Sequence, residues 1–363
     1  LQAIGNGILI SMAQVILLTI YPMDRIGAIM GWYGLSITAA PVIAPTLAGM
    51  IVDKLNWHAI FYIVGAIVFV SLIWALNVFE DVLDVTKKKF DLLSFLLSAV
   101  TFGGFTLGFG NLGTYGFASL PVLGAFLVGL IGGILFARRQ MKAAVPFLDL
   151  RVLKTKEYAL SVFGSILLYL VLMGSSMLMP LYVQSILGKS ATISGLVVLP
   201  GSLVSAFLSP IAGRIYDKVG IRILTIIGGS SLVLSNIGMF FIHIHTGIWM
   251  AVCLNILRCA ATGCLLMPFV TWGNKNIPPE LTAHGTALLT SLRTVAGAIG
   301  TAVFDGIMNT VARNSHTLTG SAALLHGMNV SFLVMTVASG LLLFTGLFLI
   351  NDSRTEVLIE VEN

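Results

Sequence analysis

With 57% hydrophobic residues, only 10% charged residues and 38 glycines in 363 positions, the chain is too apolar for a water-soluble globule of this length. It reads as an integral membrane protein. Its net charge of +5 would suggest an acidic partner in a soluble protein, but here no nucleic-acid-binding role follows, because the placement of basic residues at span ends carries the information.

A bilayer core of roughly 30 Å takes about 20 apolar residues in a helix. On that rule the sequence predicts an all-α polytopic membrane protein with eleven spans, at about 1–20, 27–52, 57–79, 92–111, 119–137, 158–187, 192–212, 223–242, 247–271, 283–306 and 328–350. The first opens LQAIGNG, with Gln2, Gly5 and Gly7, and starts inside an apolar run on Leu1, so the N-terminus is expected to lie upstream. The second carries Gly31, Gly34, Ala39, Ala40, Pro41, Ala44, Pro45, Ala48 and Gly49. Proline lacks the backbone donor and kinks a helix, while small residues let a neighbour approach closely. After a linker with Lys87, Lys88 and Lys89, the fourth and fifth spans carry few polar groups and read as peripheral. RRQMKAAVPFLDLRVLK then has the pattern of a basic amphipathic surface helix, giving a connector over 138–157.

On the sixth span Tyr169, Met173 and Met177 recur at every fourth position and are expected to share one face, as core packing or as a polarizable substrate wall. Gln184, like Asn6, Gln14, Asn111 and Asn255, is a polar candidate within or near a span. The seventh and eighth spans are separated by GRIYDKVGIR, read as a tight turn in which Gly220 supplies backbone freedom. Arg214, Lys218 and Arg222 there serve as inside anchors, and Asp217 near a helix end can accept hydrogen bonds or pair with a basic group. On the ninth span Arg258 is either a headgroup anchor or a cavity charge. Cys253, Cys259 and Cys264 on the same span have no CxxC spacing and suggest small apolar packers, with no disulfide or metal framework. On the tenth, Arg293 is placed to reach the interface with its long side chain, and Asp305 is either a water-facing carboxylate or a proton or cation site. His243 and His245 have no third ligand close in sequence, and no HExxH, nucleophile elbow or phosphate-binding glycine loop occurs, so neither an enzyme nor a cofactor is expected.

Alternate connections hold Arg25; Lys87, Lys88 and Lys89; Arg138, Arg139, Lys142, Arg151, Lys154 and Lys156; Arg214, Lys218 and Arg222; Lys275; and Arg354, whereas the intervening ones hold Lys54, Lys189 and Arg313. The first set is therefore expected in the cytoplasm, with the 351–363 tail. A gapless repeat pairs Leu1 with Leu257, Gly7 with Gly263, Leu9 with Leu265, Pro22 with Pro278 and Asp24 with Glu280. Parallel six-helix halves are one way transporters are built. The repeat makes 158–350 a six-helix half, 1–79 the last three helices of another, and 80–137 a linker with two inserted helices. Fourteen spans are then expected in all, and a chain without the upstream three is expected to insert but not to transport.

These motifs resemble the major facilitator superfamily, and within it the fourteen-span drug:proton antiporters of the EmrB/QacA type. Gly213, Asp217, Lys218, Gly220 and Arg222 match the loop motif GxxxDRxGRR, with Ile221 at a usually basic position. Gln2, Gly5 and Gly7 match RxLQAxGxG of the fourth span; Pro41, Pro45, Gly49, Trp57 and Phe61 match GPxxGPxxGG followed by WRxIF, with Ala40, Ala44, Ala48 and His58 as departures. PFLDLRVLKTKEY leading to PLYVQSILGKSATISGLVVLP is similar to the family's start of the second half. The resemblance implies a multidrug exporter in the bacterial cell membrane, coupling protons to amphipathic, often cationic, compounds. It implies a gate latch at Asp217, a rigid joint in the second span and a sixth span beside the central cavity, and it leaves any outer-envelope adaptor unspecified. The family's coupling arginine would lie just before Leu1, so Asp305 and Arg258 are the candidates within the chain.

Overall fold

The computed structural model describes residues 2–22, 25–54, 56–78, 91–115, 119–143, 146–315 and 318–351. Among them the chain forms eleven α-helices: α1 Gln2–Ile20, α2 Ile26–Lys54, α3 Trp57–Val78, α4 Leu92–Tyr115, α5 Leu120–Lys142, α6 Lys156–Leu181, α7 Ala191–Val219, α8 Ile221–Phe240, α9 Ile248–Lys275, α10 Thr282–Asn314 and α11 Ser321–Phe344. Within lipid a backbone must satisfy its own hydrogen bonds, so apolar segments of this length have no alternative to the helix. Nine helices are long and apolar enough to cross a membrane, and Gly5–Ile20 and Ile26–Ile37 add two shorter apolar stretches among the described residues.

The helices match the expected spans closely, with three differences at their ends. GRIYDKVGIR is not a loop: α7 runs on to Val219 and α8 starts at Ile221, so the whole turn is Gly220 at φ 83° and ψ −171°. Asp217 and Lys218 therefore sit on the last turn of a helix. α10 continues to Asn314 and α11 begins at Ser321, which places Asp305 well inside α10 rather than at its end. The 138–157 connector is not one surface helix either. Arg138–Lys142 finish α5, and Leu150–Lys154 form a short 3-10 turn capped by Asp149, which accepts from the Arg151 N–H. Pro146 interrupts any single helix, because it removes a donor and disfavours the α region in the residue before it. The Lys87–Lys89 segment and the tail beyond 351 lie outside the described residues.

Most of the core lies within α6–α11, where Tyr158, Phe269, Phe304 and Phe332 are fully buried. Hydroxyls pair across helices: Tyr158 donates to the Gly285 carbonyl at 2.7 Å, Ser331 to Phe304 at 2.9 Å and Ser235 to Leu254 at 2.6 Å. α2 lies along α7 and touches α9, while α1 meets α10 and α2. α4 and α5 form a hairpin that rests on α10 through α4. Its open end is fastened by Arg139, which pairs with Asp91 at 3.0 Å, and by Gln140, which donates to Ser94 and accepts from the Leu148 N–H. α3 is bare: no residue of its apolar window is buried, and Tyr62, Trp74 and Leu76 point outward.

Candidate functional site: a capped helix pair and a cavity

A close helix pair organises one end of the molecule. Gly27, Gly31 and Gly34 form a stripe on α2 at four- and three-residue steps and lie on Ser209, Pro210 and Gly213 of α7. A Cβ on Gly31 would stand 2.7 Å from the Ser209 carbonyl oxygen, and one on Gly213 would collide with the Gly27 carbonyl. Ser209 donates its hydroxyl to the Gly31 carbonyl at 3.1 Å. This contact brings Asp217 over the start of α2, where its two carboxylate oxygens accept from the Gly27 N–H at 2.8 Å and the Ala28 N–H at 2.7 Å. The first four amides of a helix lack intrahelical partners and carry the positive end of the dipole. Asp217 thus does for α2 what a local capping residue does, from the far side of the α2–α7 boundary.

At the same end, Arg222 donates to the Leu347 carbonyl at 3.3 Å, in the π-helical turn Thr345–Leu349 that follows α11. A cation at a helix C-terminus meets carbonyls left without partners. Residues 25–28, 213–222 and 347 therefore share one end of the molecule.

Between α2, α6, α7 and α9 lies a cavity of about 310 Å³. Tyr169, Leu172, Met173 and Ser176 of α6 form one wall, Val198, Ser202 and Ser205 of α7 a second, and Arg258, Cys259, Thr262 and Leu266 of α9 a third, with Ile37 of α2 closing it. Arg258 is 3% exposed and donates to the Asn255 side-chain oxygen, while Asn255 donates to the Val198 carbonyl at 3.4 Å. It is a cavity charge; the headgroup-anchor alternative fails because α9 starts at Ile248, so Arg258 lies deep in the helix. Arg293 is also buried, its guanidinium carbon 4.7 Å from the centre of the Tyr169 ring. The expectation that it reaches the interface is overturned: the Tyr169 face attracts the cation inward. Gln14 of α1, which accepts from Thr290 at 3.4 Å, and Tyr33 of α2 complete this polar layer. A larger cleft of about 620 Å³ opens beside Leu93 and Arg139 at the end of the α4–α5 hairpin, so it does not lie where α2 meets α6, α7 and α9.

The profile of the Major Facilitator Superfamily matches residues 1–301. The chain belongs to this superfamily. The chain is 38% identical over 337 residues to an uncharacterized transporter of the superfamily type, YcnB of Bacillus subtilis, covering 93% of this chain and 71% of that one. It is 36% identical over 311 residues to the lincomycin resistance protein LmrB of the same organism, covering 85% of this chain and 64% of LmrB. A riboflavin transporter, RibZ of Clostridioides difficile, is 24% identical over 305 residues, or 84% of this chain and 66% of that one. The protein is a multi-pass membrane protein and a transporter by family, in a family whose members are not enzymes.

The remaining expected site residues are spread over α1, α2, α6 and the turn that follows α6. Tyr169 and Met173 line the central cavity, but Met177 does not. Each four-residue step overshoots a helical turn by about 40°, so two steps rotate Met177 about 80° away from Tyr169. It lines a separate cavity of about 260 Å³ with Asp305, Ser185, Met308 and Asn309. Gln184 is exposed on the π-helical turn Tyr182–Ile186, whose wider winding shifts the register of α6 after Pro180. Gln2, Gly5 and Gly7 are exposed on α1, and nothing within 4 Å would meet a Cβ at either glycine, whereas the repeat partner Gly263 packs on Ser205. Pro41, Pro45 and Gly49 fall on α2, and their side chains lie outside the described residues. The reading by motif missed Gly27, Ser202, Ser205 and Thr262; the helical spacing of Arg258, Thr262 and Leu266 with Cys259 is the signal that would have found the α9 wall.

Proposed function

We propose that the protein is a proton-coupled exporter of amphipathic, drug-like molecules that works by alternating access in a bacterial cell membrane. The observation that carries this reading is the cavity closed on its α2 side by Ile37, next to a helix pair held by Asp217. Rocking of α2 against α7 would release the Asp217 carboxylate from the α2 amides and open one end, so the carboxylate acts as a latch with two positions. The relationship to LmrB supports drug export over the single-metabolite alternative that RibZ represents, because the identity is higher over a similar share of the chain. Asp305, facing the smaller cavity beside Met177, is assigned the exchangeable proton, since a carboxylate within a span is a proton site by chemistry.

The protein expressed in a drug-sensitive host is expected to raise the inhibitory concentration of lincomycin or of several unrelated dyes. Purified protein in vesicles should discharge an imposed pH gradient when such a compound is added, and Asp305→Asn should abolish that discharge. Resistance to no compound, with uptake of one metabolite instead, would overturn the exporter reading.

A further inference from the structure

We infer that the central cavity receives the anionic group of an amphipathic substrate, with Arg258 as its direct contact and Arg293 adding positive potential from behind Tyr169. The inference rests on the exporter reading only in taking this cavity as the substrate site. Arg258 lines the cavity, yet its Nε and Nη1 have no hydrogen-bond partner among the described residues, and the Nε and Nη1 of Arg293 are equally without one. A guanidinium cannot shed its proton at any accessible pH, so burial does not neutralise it. A buried charge therefore needs a counter-charge or a set of acceptors.

Among the described residues no carboxylate lines this cavity: Asp305 belongs to the smaller one, and Asp217 is spent on the α2 amides. The cavity also holds the hydroxyls of Ser202 and Ser205, and the Ser205 hydroxyl is itself without a partner, whereas Thr262 donates to the Arg258 carbonyl at 3.3 Å. Hydroxyls and a free guanidinium edge bind a carboxylate, a sulfonate or a phosphate, and the planar Arg fork does so with two parallel bonds. The α6 wall carries Leu172 and Met173, apolar and polarizable, which suits a flat hydrophobic body. A permanently cationic drug would meet like charge here, so this lining argues against the cationic compounds that the motif resemblance implied.

The test uses two dyes with the same xanthene body and opposite charge, fluorescein and rhodamine 6G, bound to the intact protein in nanodiscs of phosphatidylcholine and followed by anisotropy. Fluorescein is expected to bind about tenfold or more tightly than rhodamine 6G. Arg258→Gln should weaken fluorescein by about ten- to a hundred-fold, the range for hydrogen bonds to charged groups, and leave or improve rhodamine 6G. Arg293→Gln should weaken fluorescein less, because it acts through space. Should Arg258→Gln fail to fold, Arg258→Lys keeps the charge without the fork, and an intermediate fluorescein affinity is expected. Equal affinity for both dyes in the unmodified protein, binding of neither, or an Arg258 variant that leaves fluorescein unchanged would overturn the inference. Displacement of fluorescein by phosphatidylglycerol added to the nanodiscs, or by inorganic phosphate, would assign the site to a lipid headgroup or a free ion and overturn it equally. Drug export can fail while fluorescein still binds through Arg258, so the two readings are separable.

Discussion

Asp217 caps a helix that lies 190 residues away in the sequence. Its two bonds are charge-assisted, and each such bond is worth roughly 1.5–3 kcal/mol. Asp217→Asn keeps one acceptor and removes the charge that meets the helix dipole, so about 2 kcal/mol of preference for the closed end should go, roughly a thirty-fold shift in population. Transport should fall while the amount of protein in the membrane is unchanged, as transport assays and immunoblots on the same cells would show. Gly220 is a second decisive residue. Its positive φ of 83° is one that side chains rarely adopt, and Gly220→Ala should cost about 1–3 kcal/mol, read as a lower unfolding temperature. Both residues were legible in the sequence as a motif, but the partner of Asp217 was not, because peptide amides leave no trace in side-chain identity. Arg293 was misread for a different reason. An arginine near a span end is drawn to the interface by default, and only the position of Tyr169 on a neighbouring helix reverses that.

At the level of helices, the α2–α7 contact is set by backbone proximity. Gly31→Val would place its first carbon 2.7 Å from the Ser209 carbonyl and 2.9 Å from the Pro210 Cα, neither of which can rotate away. The helices must separate, at about 1–3 kcal/mol for overpacking, and the Asp217 bonds should lengthen with them. Hydrogen exchange at the start of α2 should rise in Gly31→Val and in Asp217→Asn alike. The α4–α5 hairpin makes a pH prediction. Arg139, and then Ser94, hold the Asp91 carboxyl down at about 2 from its usual 3.8. A carboxylate with a lowered folded pKa contributes fully above 3.8 and loses its contribution as pH falls through about 2. Asp91 also accepts from the Ser94 N–H at 3.1 Å, so the amide protection of Ser94 should weaken across that window, and Asp91→Ala, which has no acceptor, should lack it already at neutral pH. Helix existence was readable here from apolar length alone, whereas the α5 extension through Arg138–Lys142 was not, since a basic run reads equally as surface helix or span end.

At the scale of the molecule, eleven apolar stretches became eleven helices among the described residues, because a lipid environment removes the competing structures that make short segments ambiguous in water. Less of the cavity was readable. Its walls come from four helices, and periodicity names the face a residue shares with its own helix, not the neighbour it meets; Met177 shows the limit, falling into a different cavity from Tyr169. The Arg222–Leu347 bond places the α7–α8 break and the end of α11 on one side. Single cysteines at the exposed positions Lys218 and Asn351 should thus be labelled by an impermeant reagent from the same face of the membrane, and labelling from opposite faces would refute the parallel-half architecture.

The recipients of the Asp217 carboxylate are N–H groups that every non-proline residue carries, so mutation on α2 cannot delete them, short of proline or of bulk that pushes Gly27 aside. The fastening is chemically encoded from one helix alone. Loss-of-function lesions at this junction should therefore map asymmetrically, and revertants of an Asp217 loss should arise as a new acid on the last turn of α7 rather than as compensating changes in α2.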